Sequence, residues 1–220
     1  MKSQVQKLSW STYYENIGNP SWLDMSASFL YNARYLFQII KTKAQSVLEV
    51  GAGRGLHAIF LSYFVPRVIG IDVEESLIKK AVQLNKKFRG KAQFLKMDAF
   101  YTGFKDQSFS VCCSQGFFEH FTDSAILALI KEQLRVARSV VFSVPSCYYP
   151  RKNVGNERLM KMQEWKEMLN EYFVNGFYYG LNTDTAIGLI RSLKPTTLKT
   201  ILSSPKKAQI CLKVKRRLRC

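Results

Sequence analysis

Val47-Leu48-Glu49-Val50-Gly51-Ala52-Gly53-Arg54-Gly55 is the stretch that decides the fold. An apolar run ends on an acid, enters a glycine-rich bend and opens the helical pattern of Leu56 to Val65. That is the strand, turn, helix order of a parallel sheet. Glycines suit such a bend because the backbone must turn sharply and let a ligand approach with no Cβ in the way. The spacing is G-x-G-x-G, whereas the dinucleotide fingerprint G-x-G-x-x-G would need a small residue where Leu56 stands. Glu49 also opposes a pyrophosphate, since its charge repels phosphate and favours a cationic amino group.

Val68-Ile69-Gly70-Ile71-Asp72 is a second strand ending in an acid, 21 residues beyond Gly51. A carboxylate at that place can accept hydrogen bonds from both ribose hydroxyls. Phe94-Leu95-Lys96-Met97-Asp98-Ala99 is a third, with Asp98 placed to accept from an adenine exocyclic amine. Together these segments describe a pocket for an adenosine that carries a positively charged amino acid and no phosphate.

The remaining pattern agrees with a doubly wound sheet. Strands are expected at Ser46 to Val50, Arg67 to Ile71, Ala92 to Met97, Phe109 to Ser114 and Val140 to Val144, the last stopped by Pro145. Helices are expected at Glu75 to Lys87 and Ser124 to Ala137, the latter capped by Asp123 or Ser124. Upstream, Ser21 to Thr42 reads as one amphipathic helix. Downstream, Lys161 to Asn170 reads as a short helix, Tyr172 to Tyr179 as a strand, and Gln209 to Arg217 as a strand with one wet face.

The runs VLEVGAGRG, GID, KMDAF and SFSVCCSQGFFEHF resemble motifs I to IV of the class I S-adenosylmethionine-dependent methyltransferases, over roughly Ser46 to Pro145. They look most like the subgroup containing ubiquinone and sterol methyltransferases. The resemblance implies a Rossmann-like α/β fold: a doubly wound, mostly parallel seven-stranded sheet with helices on both faces and an antiparallel terminal hairpin of Tyr172 to Tyr179 with Gln209 to Arg217. It implies S-adenosylmethionine as cofactor. Glu49, Gly51, Ala52 and Gly53 would hold its methionine part, Asp72 the ribose, and Asp98 with Ala99 the adenine, with Gly55 and Val73 also at the cofactor. Ser114, Gln115 and Gly116 would line it beside the transferred methyl. One domain is expected, with a helical cap at 1–45, the binding domain at 46–220 and a basic tail at 191–220.

Such a cofactor carries its own leaving group, so a dedicated base is optional. If one acts, His120 is the candidate, because it titrates near neutrality and follows the fourth strand, where open sheets bind ligands. Glu119 beside it is read as a loop-orienting residue, His57 as a surface or packing residue, and Asp106 as a turn residue. Trp10, Tyr13 and Tyr14 are candidates for a lid. Tyr148, Tyr149, Arg151 and Arg158 fall where an acceptor pocket is expected, an arginine there being suited to an acidic substrate.

The chain has 220 residues and a formal charge of +17, of which +10 lies between Arg191 and Cys220, where no acid occurs. That tail suits anionic polymers or a solvated strand edge, and the latter is preferred. A small-molecule acceptor is therefore the leading expectation. RNA or protein methylation through the tail, and a non-catalytic cofactor-binding module, are the alternatives. Cys112, Cys113, Cys147, Cys211 and Cys220 have no zinc spacing, so no metal is expected and the thiols read as reduced. No apolar run reaches the roughly 18 residues of a membrane span, and a cytoplasmic address is expected.

Overall fold

The computed structural model describes residues 10–149, 156–179 and 185–191. Five parallel strands form the centre: β1 (Ser46–Val50), β2 (Arg67–Asp72), β3 (Gln93–Lys96), β4 (Val111–Gln115) and β5 (Val140–Pro145). The sheet order is β3-β2-β1-β4-β5, extended by β7 (Thr185–Arg191) and β6 (Phe173–Tyr179), which pair antiparallel. β1 and β4 are neighbours although β2 and β3 intervene in sequence, so the connections leave this pair in opposite directions. A crevice opens there, beyond the carboxyl ends of the strands, and it is the usual ligand position in open α/β sheets.

Alternation along β1 sorts its side chains between two apolar layers. Val47 enters a core shared with α2 (Trp22–Tyr31), α3 (Ala33–Lys41), α4 (Leu56–Leu61) and α5 (Glu75–Lys87). Leu48 and Val50 enter the other, shared with α6 (Asp123–Val136) and α7 (Met162–Met168). Val47, Leu48 and Val50 are all fully buried. Covering on both faces is why this strand is a continuous apolar run, with only Glu49 interrupting it. Fully burying each of these side chains is worth about 1.5–3 kcal/mol.

The expected helix from Ser21 to Thr42 is two helices, broken at Asn32. Asn32 is buried, and its amide nitrogen donates to the Ser28 carbonyl while its Oδ1 accepts from the Tyr179 hydroxyl at 3.2 Å. Side-chain bonds of this kind compete with the helix ladder. Tyr179 in turn meets Ser143 Oγ at 2.7 Å, so the break anchors the N-terminal helices to the far half of the sheet. The cap of α6 is Thr122, one residue ahead of the expected Asp123, because its Oγ1 accepts from the Ala125 N–H.

The strand that pairs with β6 is β7, at residues which the sequence pattern leaves unassigned. The expected strand Gln209 to Arg217 and the rest of the basic tail lie outside the described residues. Among the described residues, no helix is long and apolar enough to cross a membrane.

Candidate functional site

The glycine bend is held open by backbone geometry and by two strand-end acids. Gly51 has φ +69°, and a Cβ there would stand 2.3 Å from the Phe117 ring, so both the conformation and the space demand glycine. Gly53 has φ +55° and donates its N–H to Asp72 Oδ2 at 2.9 Å. Asp72 Oδ1 accepts the Glu74 N–H at 3.0 Å, so this carboxylate ties β2 to the bend. Glu49 is buried; its Oε2 accepts the Ala58 N–H at 2.8 Å in the first turn of α4, and its Oε1 lies 3.3 Å from His57 Nδ1.

Three adjoining cavities open over these groups. The largest, about 320 Å³, has Gly51, Gly53, Asp72 and Val73 on one side and Asp98 and Ala99 on another. Ile71, Leu77, Met97, Phe117 and Phe121 supply apolar walls, and Gln115, Gly116 and His120 close the end. Among the described residues, its wall contains no lysine or arginine. A pocket with two carboxylates and no cation repels phosphates and attracts a cation. Asp98 keeps its second oxygen available, since Oδ1 accepts the Phe100 N–H at 2.8 Å.

A smaller cavity of about 80 Å³ lies under the glycine bend, between Glu49, Ala52, Gly55, His57 and Gln115. A third, about 200 Å³, lies beyond Gln115 and Gly116 and is bounded by Trp10, Tyr13, Tyr149, Glu119, His120 and Glu157. Gln115 borders all three. The strand-end positions expected from sequence are thus brought together, with one exception. Ser114 is buried in β4 and lines none of the cavities, because its position alternates with that of Gln115.

The roof is α1 (Trp10–Ile17). Trp10 and Tyr14 both border the large cavity, and Tyr14 sits against Gly53, where a Cβ would meet its hydroxyl at 2.9 Å. The Arg54 guanidinium stands 4.7 Å from the Tyr14 ring centroid and donates to the Gly18 carbonyl at 2.5 Å, which pins the roof to the bend. Burial pushes the Tyr14 phenol up to about 12, so it stays neutral.

His120 is packed edge-on to Trp10, with ring centroids 4.8 Å apart, and its Nδ1 is 2.8 Å from Asn156 Oδ1. Burial lowers its pKa below the ordinary value, which leaves the imidazole uncharged at neutral pH. Glu119 is the residue that sequence reasoning underrated. Its side chain is buried in the wall of the third cavity, Oε2 has no hydrogen-bond partner, and Oε1 lies 3.8 Å from His120 Nε2. Burial pushes its carboxyl up to about 8, with Glu157 adding to the rise. An acid in an apolar, aromatic run such as GFFEHF is the signal that could have found it.

Of the two readings of His57, packing is the one observed, the ring being tucked against Glu49 and the Tyr35 ring. Asp106 stands in a turn, as expected, and also accepts from Arg135 at 2.6 Å. Arg158 is spent on the Phe121 carbonyl and on Asp123 Oδ1, and borders no cavity, so it is not placed to grip an acidic substrate. Tyr148 packs on Tyr178 outside the cavities, while Arg151 lies outside the described residues.

Residues 47–139 match the family model described as a methyltransferase domain. No curated protein matches the sequence. Among solved structures, an SAM-dependent methyltransferase from Aquifex aeolicus aligns with TM-score 0.67 at 19% identity, over 85% of this chain and 100% of that one. Magnesium protoporphyrin IX methyltransferase from Synechocystis with bound SAH aligns with TM-score 0.63 at 14% identity, over 84% and 96%. A protein from Pyrococcus horikoshii aligns with TM-score 0.64 at 14% identity, over 77% and 92%. At these identities the solved structures share the fold. The matched methyltransferase domain spans β1 to α6 and contains the strand-end acids and the glycine bend.

Proposed function

We propose that this chain is an S-adenosylmethionine-dependent methyltransferase with a small-molecule acceptor, a reading supported by the methyltransferase domain matched over 47–139. The observation that carries the proposal is the third cavity. It is a space of about 200 Å³ bordered by Trp10, Tyr13 and Tyr14 of α1, adjoining the large cavity at Gln115 and Gly116, and of a size for a small metabolite.

In this reading Asp72 accepts from the ribose hydroxyls with the lone pairs that the Gly53 and Glu74 amides leave over. Asp98 and Ala99 take the adenine between Met97 and Phe121, with Val73 at its edge. The bend from Gly51 to Gly55, with Glu49 and Gln115, holds the charged amino-acid end. Glu49 then works twice, since it also fixes α4 against β1. The cofactor supplies an activated methyl on sulfur, and the chain's task is to align a nucleophile and keep water out. Trp10, Tyr14 and the Arg54 clamp do the second. With Nδ1 directed to Asn156, His120 Nε2 is the nitrogen left for a proton. The helical cap at 1–45 and the cytoplasmic address belong to the same proposal.

A transfer assay with radiolabelled methyl, run over metabolite, RNA and protein pools, tests the acceptor class. Label in the metabolite pool, insensitive to salt, supports the proposal. Label in RNA alone, lost steeply as salt rises, refutes it and assigns the basic tail to recruitment.

A further inference from the structure

We infer that Arg54 takes the carboxylate of the cofactor's amino-acid end, across the small cavity under the glycine bend from Glu49, and so selects a cofactor that keeps that carboxylate. The inference rests on the reading that this chain binds S-adenosylmethionine. Arg54 stands between two glycines of left-handed backbone, Gly53 at φ +55° and Gly55 at φ +75°, so its stem springs from the bend itself. It borders the cavity of about 80 Å³ together with Glu49, Tyr14, His57 and Gln115. A carboxylate and a guanidinium thus share one small wall. An α-amino acid presents the complementary pair, an ammonium group and a carboxylate on one carbon.

The two charged walls differ in what they can still bind. Glu49 Oε2 accepts the Ala58 N–H and Oε1 lies 3.3 Å from His57 Nδ1, and each oxygen keeps a lone pair for an ammonium N–H. An acid cannot answer the ligand's own carboxylate, so that group needs a donor from elsewhere in the wall. Arg54 has one to give. Its Nη1 donates to the Gly18 carbonyl and its guanidinium lies 4.7 Å from the Tyr14 ring centroid, whereas its Nε is buried and has no hydrogen-bond partner. A guanidinium donates and never accepts, so an orphan Nε–H in a cavity wall marks where a ligand oxygen completes the set. His57 Nε2 is a second buried nitrogen without a partner in the same wall.

The energetics point the same way. Burial lowers the Arg54 pKa, and Tyr14, Tyr13 and Asp24 offset only part of that effect. The half-buried charge therefore carries a desolvation cost, which a carboxylate beside it offsets through charge-assisted hydrogen bonds. Arg54 also fastens α1 through Gly18, and loss of that clamp alone would weaken every ligand beneath the roof alike. A contact with the carboxylate depends on one group of the ligand, and removing that group from the ligand separates the two roles.

The test is a calorimetric titration of the full chain with S-adenosylhomocysteine and with its decarboxylated counterpart, the adenosyl aminopropyl thioether. The unaltered chain is expected to bind S-adenosylhomocysteine at least about tenfold more tightly than the aminopropyl thioether. Arg54→Gln should weaken S-adenosylhomocysteine about tenfold and leave the aminopropyl thioether within about twofold, so that the preference collapses. Equal weakening of both ligands by the variant, or no preference in the unaltered chain, overturns the inference while leaving the methyltransferase reading intact. Phenylglyoxal, which condenses with guanidinium groups, gives a second reading on the unaltered chain saturated with either ligand. Peptide masses should show Arg54 modified more slowly under S-adenosylhomocysteine than under the aminopropyl thioether, and equal rates overturn the inference even if the variant does not fold. If neither ligand binds the unaltered chain, the broader reading has failed.

Discussion

Asp72→Asn separates the part of Asp72 that builds the site from the part that grips the ligand. In the folded chain the carboxylate already accepts the Gly53 N–H at 2.9 Å and the Glu74 N–H at 3.0 Å. Two ionised oxygens offer about four acceptor positions, so about two remain for ribose hydroxyls. An asparagine keeps one oxygen and turns the other position into a donor, which faces either the Gly53 or the Glu74 amide. The charge-assisted bonds to the ribose fall away, at a cost of about 1.5–3 kcal/mol, so Kd for S-adenosylmethionine rises roughly 10- to 150-fold. Stability falls by only about 1 kcal/mol, for the one amide left opposite a donor. Calorimetry with the cofactor, beside a thermal melt, reads both numbers. Unchanged affinity with a lowered melting temperature would refute the reasoning, leaving Asp72 a brace for the glycine bend and nothing more.

Gly51→Ala forces an L-residue to φ +69° and sets a methyl 2.3 Å from the Phe117 ring. It should cost at least about 1–2 kcal/mol in a denaturant melt and weaken cofactor binding as Phe117 is displaced. Glu119 has a folded pKa raised above the unfolded one, so its contribution to stability is full below the unfolded value of about 4.5 and lost as pH rises through about 8. Glu119→Gln should therefore lose this slope and gain on the unaltered chain, by on the order of a few kcal/mol, in melts compared at about pH 5 and about pH 9. Glu132 has the opposite sign: bonds from Arg135 first, and from Thr102, hold its pKa down at about 2. Its contribution is present above the unfolded value and lost as pH falls, so Glu132→Gln should cost about 2 kcal/mol at neutral pH, after allowance for the partly exposed Arg135, and almost nothing near pH 2.

The parallel half of the sheet was legible because its strands are apolar runs punctuated by the acids and glycines that a ligand needs. Leu48 and Val50 announce a doubly covered strand, and Glu49, Asp72 and Asp98 mark where it stops being core and becomes site. The kink at Asn32 was not legible, since it depends on Tyr179, which is 147 residues away in sequence. Glu119 was misjudged for a similar reason. Nothing next to it in sequence says that its carboxyl is buried without a partner, a condition set by the packing of α1 and of residues 156–158 around it. Ser114 shows the converse: adjacency to Gln115 suggests a shared role, whereas strand alternation buries its side chain away from the three cavities.

A head-to-head calorimetric titration of the purified chain with S-adenosylmethionine, ATP and NAD tests the central electrostatic claim. A cavity with carboxylates at Asp72 and Asp98 and, among the described residues, no lysine or arginine in its wall predicts saturable binding of the sulfonium nucleoside, with Kd in the micromolar range, and no measurable heat from either phosphate-bearing nucleotide. Preference for ATP or NAD would contradict it.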